Sequence, residues 1–177
     1  MEPSLKESTQ FVMEERCILF RGRIVHRAID VETAIELFIS TFFCHDKQRQ
    51  RDFWGLIATA TDRVSFNSKA GILGFILKQY YPEFLVKYPR YLEALNNLIE
   101  IRNIVAHRKL DLSDERIEKY DGNKIYIKWT TTKRGKARTE FLELDEYKVA
   151  STMIDIMHLG NQTHELLRDL LNQRGKS

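Results

Sequence analysis

The 177-residue sequence is poor in the residues that usually announce a function. It has two cysteines, Cys17 and Cys44, and three prolines. Two cysteines make no disulfide framework, and three prolines make no proline-rich linker. No run of about 18 apolar residues occurs, so no segment is expected to span a membrane. The first residues, MEPSLKESTQFVMEERCILF, carry charge where a signal peptide needs an apolar stretch. CxxC and HExxH are missing, and His158 and His164 do not have the i, i+4 spacing of a helical zinc pair, so no metal site is expected. Without a P-loop or GxGxxG run, no cofactor is expected either. Cys44 and His45 are adjacent but lack a third group for nucleophilic catalysis. An excess of one charge sign is also lacking: 28 Lys+Arg stand against 25 Asp+Glu, a net +3.

What is present is ordinary globular material, 43% apolar and 30% charged. A chain of this length can bury about 70% of its unfolded surface in one core. The expectation is a soluble, cytoplasmic protein of one domain over residues 1–177.

Residues 5–44 have a helical apolar period, through Val12, Cys17, Phe20, Ile24, Ala28, Val31, Ile35, Phe38 and Phe42. Gly22 leaves open one long helix or two. The stretch 45–52 reads as a solvated connection, followed by a helix near 53–62. A helix over 69–80 follows an N-cap in Ser65–Ser68, ends at Tyr81–Pro82, and precedes one over 88–109. Ile117, Tyr120, Ile125, Ile127 and Trp129 then nearly alternate with polar residues around Asp121–Gly122–Asn123, a hairpin signal, with a third strand over 138–144. The helical period returns over 145–173, with a break expected at Gly160–Asn161. The predicted class is mainly α: a helical bundle over 1–110, a small antiparallel β-hairpin insertion over 111–144 and a C-terminal helix.

The helix over 88–109 carries an arginine on its apolar face. On a helical wheel Arg102 falls about 20° from Leu95, among Tyr91, Leu98 and Ile99. Asn103 and His107 are i, i+4 neighbours beside it. A guanidinium on such a face stays charged and needs carboxylates, carbonyls or an anion. Glu32 and Glu36 lie on or beside the apolar face of the first helix and are candidate partners. A buried Arg–Glu pair without chemistry satisfies the same spacing.

The run IEIRNIVAHRK, residues 99–109, resembles the signature of the HEPN superfamily, with Arg102, Asn103 and His107 matching as RNxxAH. Its layout is also similar to the mannitol operon repressor family. The resemblance covers about residues 10–110 and leaves the β insertion unexplained. It implies a helical bundle that forms a homodimer through the motif helices. It also implies a metal-independent endoribonuclease site in which Arg102 and His107 of two copies face each other, with Asn103 as a third catalytic residue and Glu36 and Glu32 as supporting carboxylates. Arginine suits a phosphate and its transition state, and histidine suits proton relay at the ribose 2′-OH. A toxin–antitoxin or phage-defence role, with an antitoxin or regulatory protein partner, is implied by the same resemblance. The alternative it implies is a non-catalytic regulator acting through protein partners.

A second feature is independent of the motif. Lys124, Lys128, Lys133, Arg134, Lys136 and Arg138 fall in a stretch without an acid, with Tyr126 and Trp129 interleaved. Such a ribbon can hold an RNA backbone and stack a base, with Lys128, Lys133, Arg134, Lys136, Arg138 and Trp129 as the contacts. A solvated hairpin with its aromatics packed inward is the competing reading.

Overall fold

The computed structural model describes residues 4–44, 46–58, 64–133 and 136–174. Among them seven helices and three strands follow in the order α1 (Leu5–Phe43), α2 (Lys47–Ala58), α3 (Phe66–Tyr80), α4 (Pro82–Lys87), α5 (Tyr91–His107), β1 (Lys109–Leu110), α6 (Asp114–Glu118), β2 (Ile125–Lys133), β3 (Lys136–Leu144) and α7 (Glu146–Arg174). The fold is mainly α with a small antiparallel sheet before the last helix, as the sequence predicts.

The helix starts have local chemical causes. Asp46 accepts from the Arg49 N–H at 2.9 Å and opens α2. Ser65 accepts from the Ser68 N–H at 3.1 Å and opens α3. Asp145 accepts from the Lys148 N–H at 2.6 Å and opens α7. Each side chain satisfies a donor that the first helical turn leaves free. Pro82 begins α4, where its missing N–H costs nothing.

Of the two alternatives left open at Gly22, α1 is one continuous helix. Several expectations change. Gly160–Asn161 does not break α7. A glycine costs about 1 kcal/mol against alanine inside a helix, too little to interrupt one that tertiary burial supports. Part of the connection predicted over 45–52 is the start of α2, and residue 45 lies outside the described residues. So do residues 59–62 of the predicted helix over 53–62. The helix predicted to reach residue 109 stops at His107, because Lys109 already pairs in β1. Asp121–Gly122–Asn123 joins α6 to β2 instead of turning a hairpin. There the Asp121 carboxylate accepts from the Asn123 and Lys124 N–H groups, and Gly122 has φ 81°.

The sheet order is β1-β2-β3, antiparallel throughout. The ladder runs from Ile125↔Leu144 to Lys133↔Lys136.

The chain divides into two compact units. One comprises Ile101–Ile154 with the chain up to His26. Its buried side chains include Met13, Phe20, Ile24, Val105, Ile117, Ile125, Ile127, Leu144 and Val149. The other comprises Arg27–Glu100 with the chain from Asp155 onward. Its core takes Val31, Ile35, Phe38 and Ile39 of α1, Leu73, Ile76 and Leu77 of α3, Tyr91, Leu95 and Leu98 of α5, and Ile156, Leu159 and Leu166 of α7. Phe38 meets Tyr81 edge to face at 5.8 Å, and the Tyr91 and Thr163 hydroxyls share a hydrogen bond of 2.8 Å. Arg174 donates to the carbonyls of Phe42 and Cys44, capping the end of α1 with a cation.

The second unit also buries a charged cluster. Lys69 is 1% exposed, and its ammonium donates to Glu32 at 2.7 Å and to Glu36. Burial opposes the charge on Lys69, but the two carboxylates outweigh it and raise its pKa above the ordinary lysine value. Removing the cation strands two carboxylates. Lys69→Met should therefore lose about 3 to 5 kcal/mol of stability in urea unfolding at neutral pH. The triple variant Lys69→Met/Glu32→Gln/Glu36→Gln should regain most of that loss.

Candidate functional site at the end of the motif helix

The motif residues lie in the last turns of α5, in the first unit. Arg102 is half-buried. Its Nη1 donates to Asn103 Oδ1 at 3.0 Å, while its buried Nε has no hydrogen-bond partner. Asn103 therefore serves Arg102. His107 is exposed at the helix end. The carboxylates predicted to support the arginine, Glu32 and Glu36, hold Lys69 in the second unit.

The end of α5 is fixed from α1. Arg21 donates through Nη2 to the carbonyl of Arg108, a cation on a helix C-terminus. Arg16 donates to the carbonyl of Asn123 at 2.9 Å, and Arg23 pairs with Glu146 at 3.1 Å. The N-terminal half of α1 thus reaches the motif helix, the β2 approach and the start of α7. Cys17, one turn before Arg21, is a core residue whose thiol pKa is raised by burial.

His107 lines a pocket of about 640 Å³. With it stand Arg108, Lys109, Asp111, Arg116, Lys128, Thr130, Thr139 and Phe141, and also Ser113, Glu115 and Trp129. Strand pairing explains this gathering. Residues directly opposite across an antiparallel ladder point to the same face, and faces alternate along each strand. Ile125 and Ile127, opposite Leu144 and Leu142, form the inward face, which Leu110 joins. The other face takes Tyr126, Lys128 and Thr130, opposite Glu143, Phe141 and Thr139, and Lys109 joins it opposite Lys128.

Asp111 organises this outer face. It is 4% exposed. It accepts from Lys128 Nζ at 2.6 Å and from the Ser113 N–H at 3.3 Å, and Arg116 Nε lies 3.6 Å from its second oxygen. Arg116 in turn places its guanidinium 3.7 Å from the Tyr126 ring centre and 5.5 Å from that of Phe141. Arg108 and Lys109 have no carboxylate partner among the described residues. Two lysines directly opposite repel, so Lys109↔Lys128 is tolerated because Asp111 neutralises one of them.

The predicted basic ribbon is divided by the same alternation. Lys128 lies on the outer face. Trp129 shares the inward face with Ile127, is half-buried and stands opposite Glu140, and Arg138 and Lys136 continue on that side. Lys128 and Trp129 therefore do not form one surface, although both border the pocket. Lys124 is paired with Glu143 at 2.8 Å. For Lys133 the structure gives only its backbone pairing with Lys136, and Arg134 lies outside the described residues. Among the described residues no group of His, Cys, Asp and Glu is arranged to hold a metal. Among the described residues no helix is long and apolar enough to cross a membrane.

Arg108, Lys109, Asp111, Arg116 and Phe141 belong to the site without standing out in the sequence. A usable signal for Phe141 was parity: in FLEL the leucines take the inward face, so Phe141 takes the other. Asp111, between two leucines, was a second.

Burial works against the charge on Asp111, but hydrogen bonds from Lys128 and the Ser113 N–H hold its pKa below the usual aspartate value. A depressed folded-state pKa stabilises above the unfolded carboxylate value and is lost as pH falls through the folded one. Asp111→Asn should therefore cost about 2 kcal/mol at pH 7. The gap to the wild type should close on acidification. Urea unfolding between pH 7 and pH 3 checks both.

No family model matches the chain, and neither the curated proteins nor the solved structures contain a match to it.

Proposed function

We propose that the chain is an RNA-binding, metal-independent endoribonuclease that uses Arg102, Asn103 and His107, with two copies contributing to one site as in the HEPN superfamily it resembles. The supporting observation is the position of His107. It is an exposed imidazole on a pocket of about 640 Å³ that also carries Arg108, Lys109 and Lys128. A cationic pocket attracts a polyanion, and an imidazole at its wall is suited to moving protons at the ribose 2′-OH or the leaving 5′-oxygen.

Arg102 supports the same reading. It is half-buried, and Asn103 orients its fork. A guanidinium offers its terminal N–H groups to a phosphate and stabilises the added charge of a pentacoordinate phosphorane. In this mechanism an imidazole takes the 2′-hydroxyl proton as that oxygen attacks the adjacent phosphorus. The bond from phosphorus to the 5′-oxygen breaks, the 5′-oxygen leaves with a proton from the second copy's imidazole, and the product ends in a 2′,3′-cyclic phosphate. Asn103 is a positioning residue for Arg102.

The test is cleavage of single-stranded RNA in EDTA by purified protein. The wild type should release fragments ending in cyclic phosphate. Arg102→Ala and His107→Ala should each lower the rate by at least about 100-fold, the scale of losing a transition-state donor or a general acid–base group. Asn103→Ala should lose less. If the wild type leaves a broad set of RNAs intact, the ribonuclease reading falls.

A further inference from the structure

The outer face of the sheet presents two aromatic rings in different states. Tyr126 is covered by the Arg116 guanidinium at 3.7 Å. Phe141 lies at 5.5 Å from the same group and remains 47% exposed. Exposing that much of a phenyl ring next to Lys128, Thr130 and Thr139 gains nothing for folding, because the adjacent ladder already supplies Leu142 and Leu144 to the inward face. The ring borders a concavity that is also lined by Arg108 and Lys109, which have no carboxylate partner among the described residues, and by the hydroxyl-bearing Thr130 and Thr139.

We infer that Phe141 is the stacking platform for one unpaired base of a bound RNA strand, whose phosphates lie along Arg108 and Lys109. The inference rests on the function proposed above and assigns its substrate subsite. A flat apolar ring beside cations matches the two parts of a nucleotide, a π-face and a phosphate. The pocket is within the size range of ligand sites. A base can enter it only when splayed out of a helix, so the preferred substrate is single-stranded. Asp111 has a defined part here. By holding Lys128 and Arg116, it keeps the second cation close on Tyr126 and farther from Phe141, whose ring stays 47% exposed. Trp129, the aromatic that the sequence favoured for stacking, borders the pocket from the other face of the strand and is half-buried.

The experiment uses the full chain and a short fluorescent single-stranded oligonucleotide with 2′-O-methyl groups, which cannot be cleaved. Affinity is read by anisotropy. Phe141→Ala should weaken binding about tenfold, the scale of one base–aromatic stack. Phe141→Leu, which keeps an apolar side chain in the strand without a ring, should lose as much, and Phe141→Trp should bind like the wild type. The dependence of affinity on salt should be unchanged in all three, while Arg108→Ser/Lys109→Ser should flatten it. An oligonucleotide of equal charge with abasic positions should bind the wild type and Phe141→Ala equally.

Wild-type affinity in Phe141→Leu, or tight binding of the abasic strand to the wild type, would overturn the stacking subsite while leaving the ribonuclease reading in place. A wild-type protein that binds no single strand, or that prefers an acidic peptide of equal charge, overturns both.

Discussion

The buried carboxylate of Asp111 is the constraint on which the β portion of the molecule depends. It follows β1, receives Lys128 from β2 and Arg116 from α6, and caps the Ser113 N–H. One side chain therefore ties two short segments, β1 and α6, to the longer strand β2. A two-residue strand and a five-residue helix have little intrinsic order. The interaction sets the direction of two cations that would otherwise repel Lys109, and so decides how the outer face of the sheet meets the end of α5.

Charge is handled differently in the two units. Around Lys69, one cation faces two carboxylates out of solvent. Around Asp111, one carboxylate faces two cations that stay partly in water. The first arrangement closes on itself. The second has cations left over, because Arg108 and Lys109 have no carboxylate within the described chain. Surplus positive charge at a pocket edge attracts negative ligands, whereas a satisfied buried cluster chiefly constrains which packing is allowed. The near-neutral composition conceals this local imbalance.

Much of the helical architecture was legible in the sequence. The apolar period of residues 5–44 is α1, and the helical return after Asp145 is α7. Errors arose where a local signal met a tertiary override. Gly160 read as a break, but it sits in a helix with buried residues on the turns before and after it, Leu159 and Thr163 among them. Asp121–Gly122–Asn123 reads as a hairpin turn and is a turn, but it joins a helix to a strand. Strand β1 carries no period because two residues cannot show one. At the site, His107 and its cationic neighbours were visible as residue types, and their gathering with Phe141 was not, since it depends on pairing Lys109 with Lys128. A lysine on a helix reads as surface, so nothing local marks Lys69 as the partner of Glu32 and Glu36.

The brevity of the connection between α5 and the sheet has an evolutionary consequence. Arg108 alone separates His107 from Lys109, and Lys109 and Leu110 take opposite faces of the sheet. Inserting or deleting one residue there would turn a lysine toward Ile127 and a leucine toward the pocket. Length variation is thus barred at this junction while remaining open at surface loops. The imidazole and the cationic strand are bound to be inherited as a single piece, and descendants of this chain can diversify the pocket by substitution but not by lengthening its entrance.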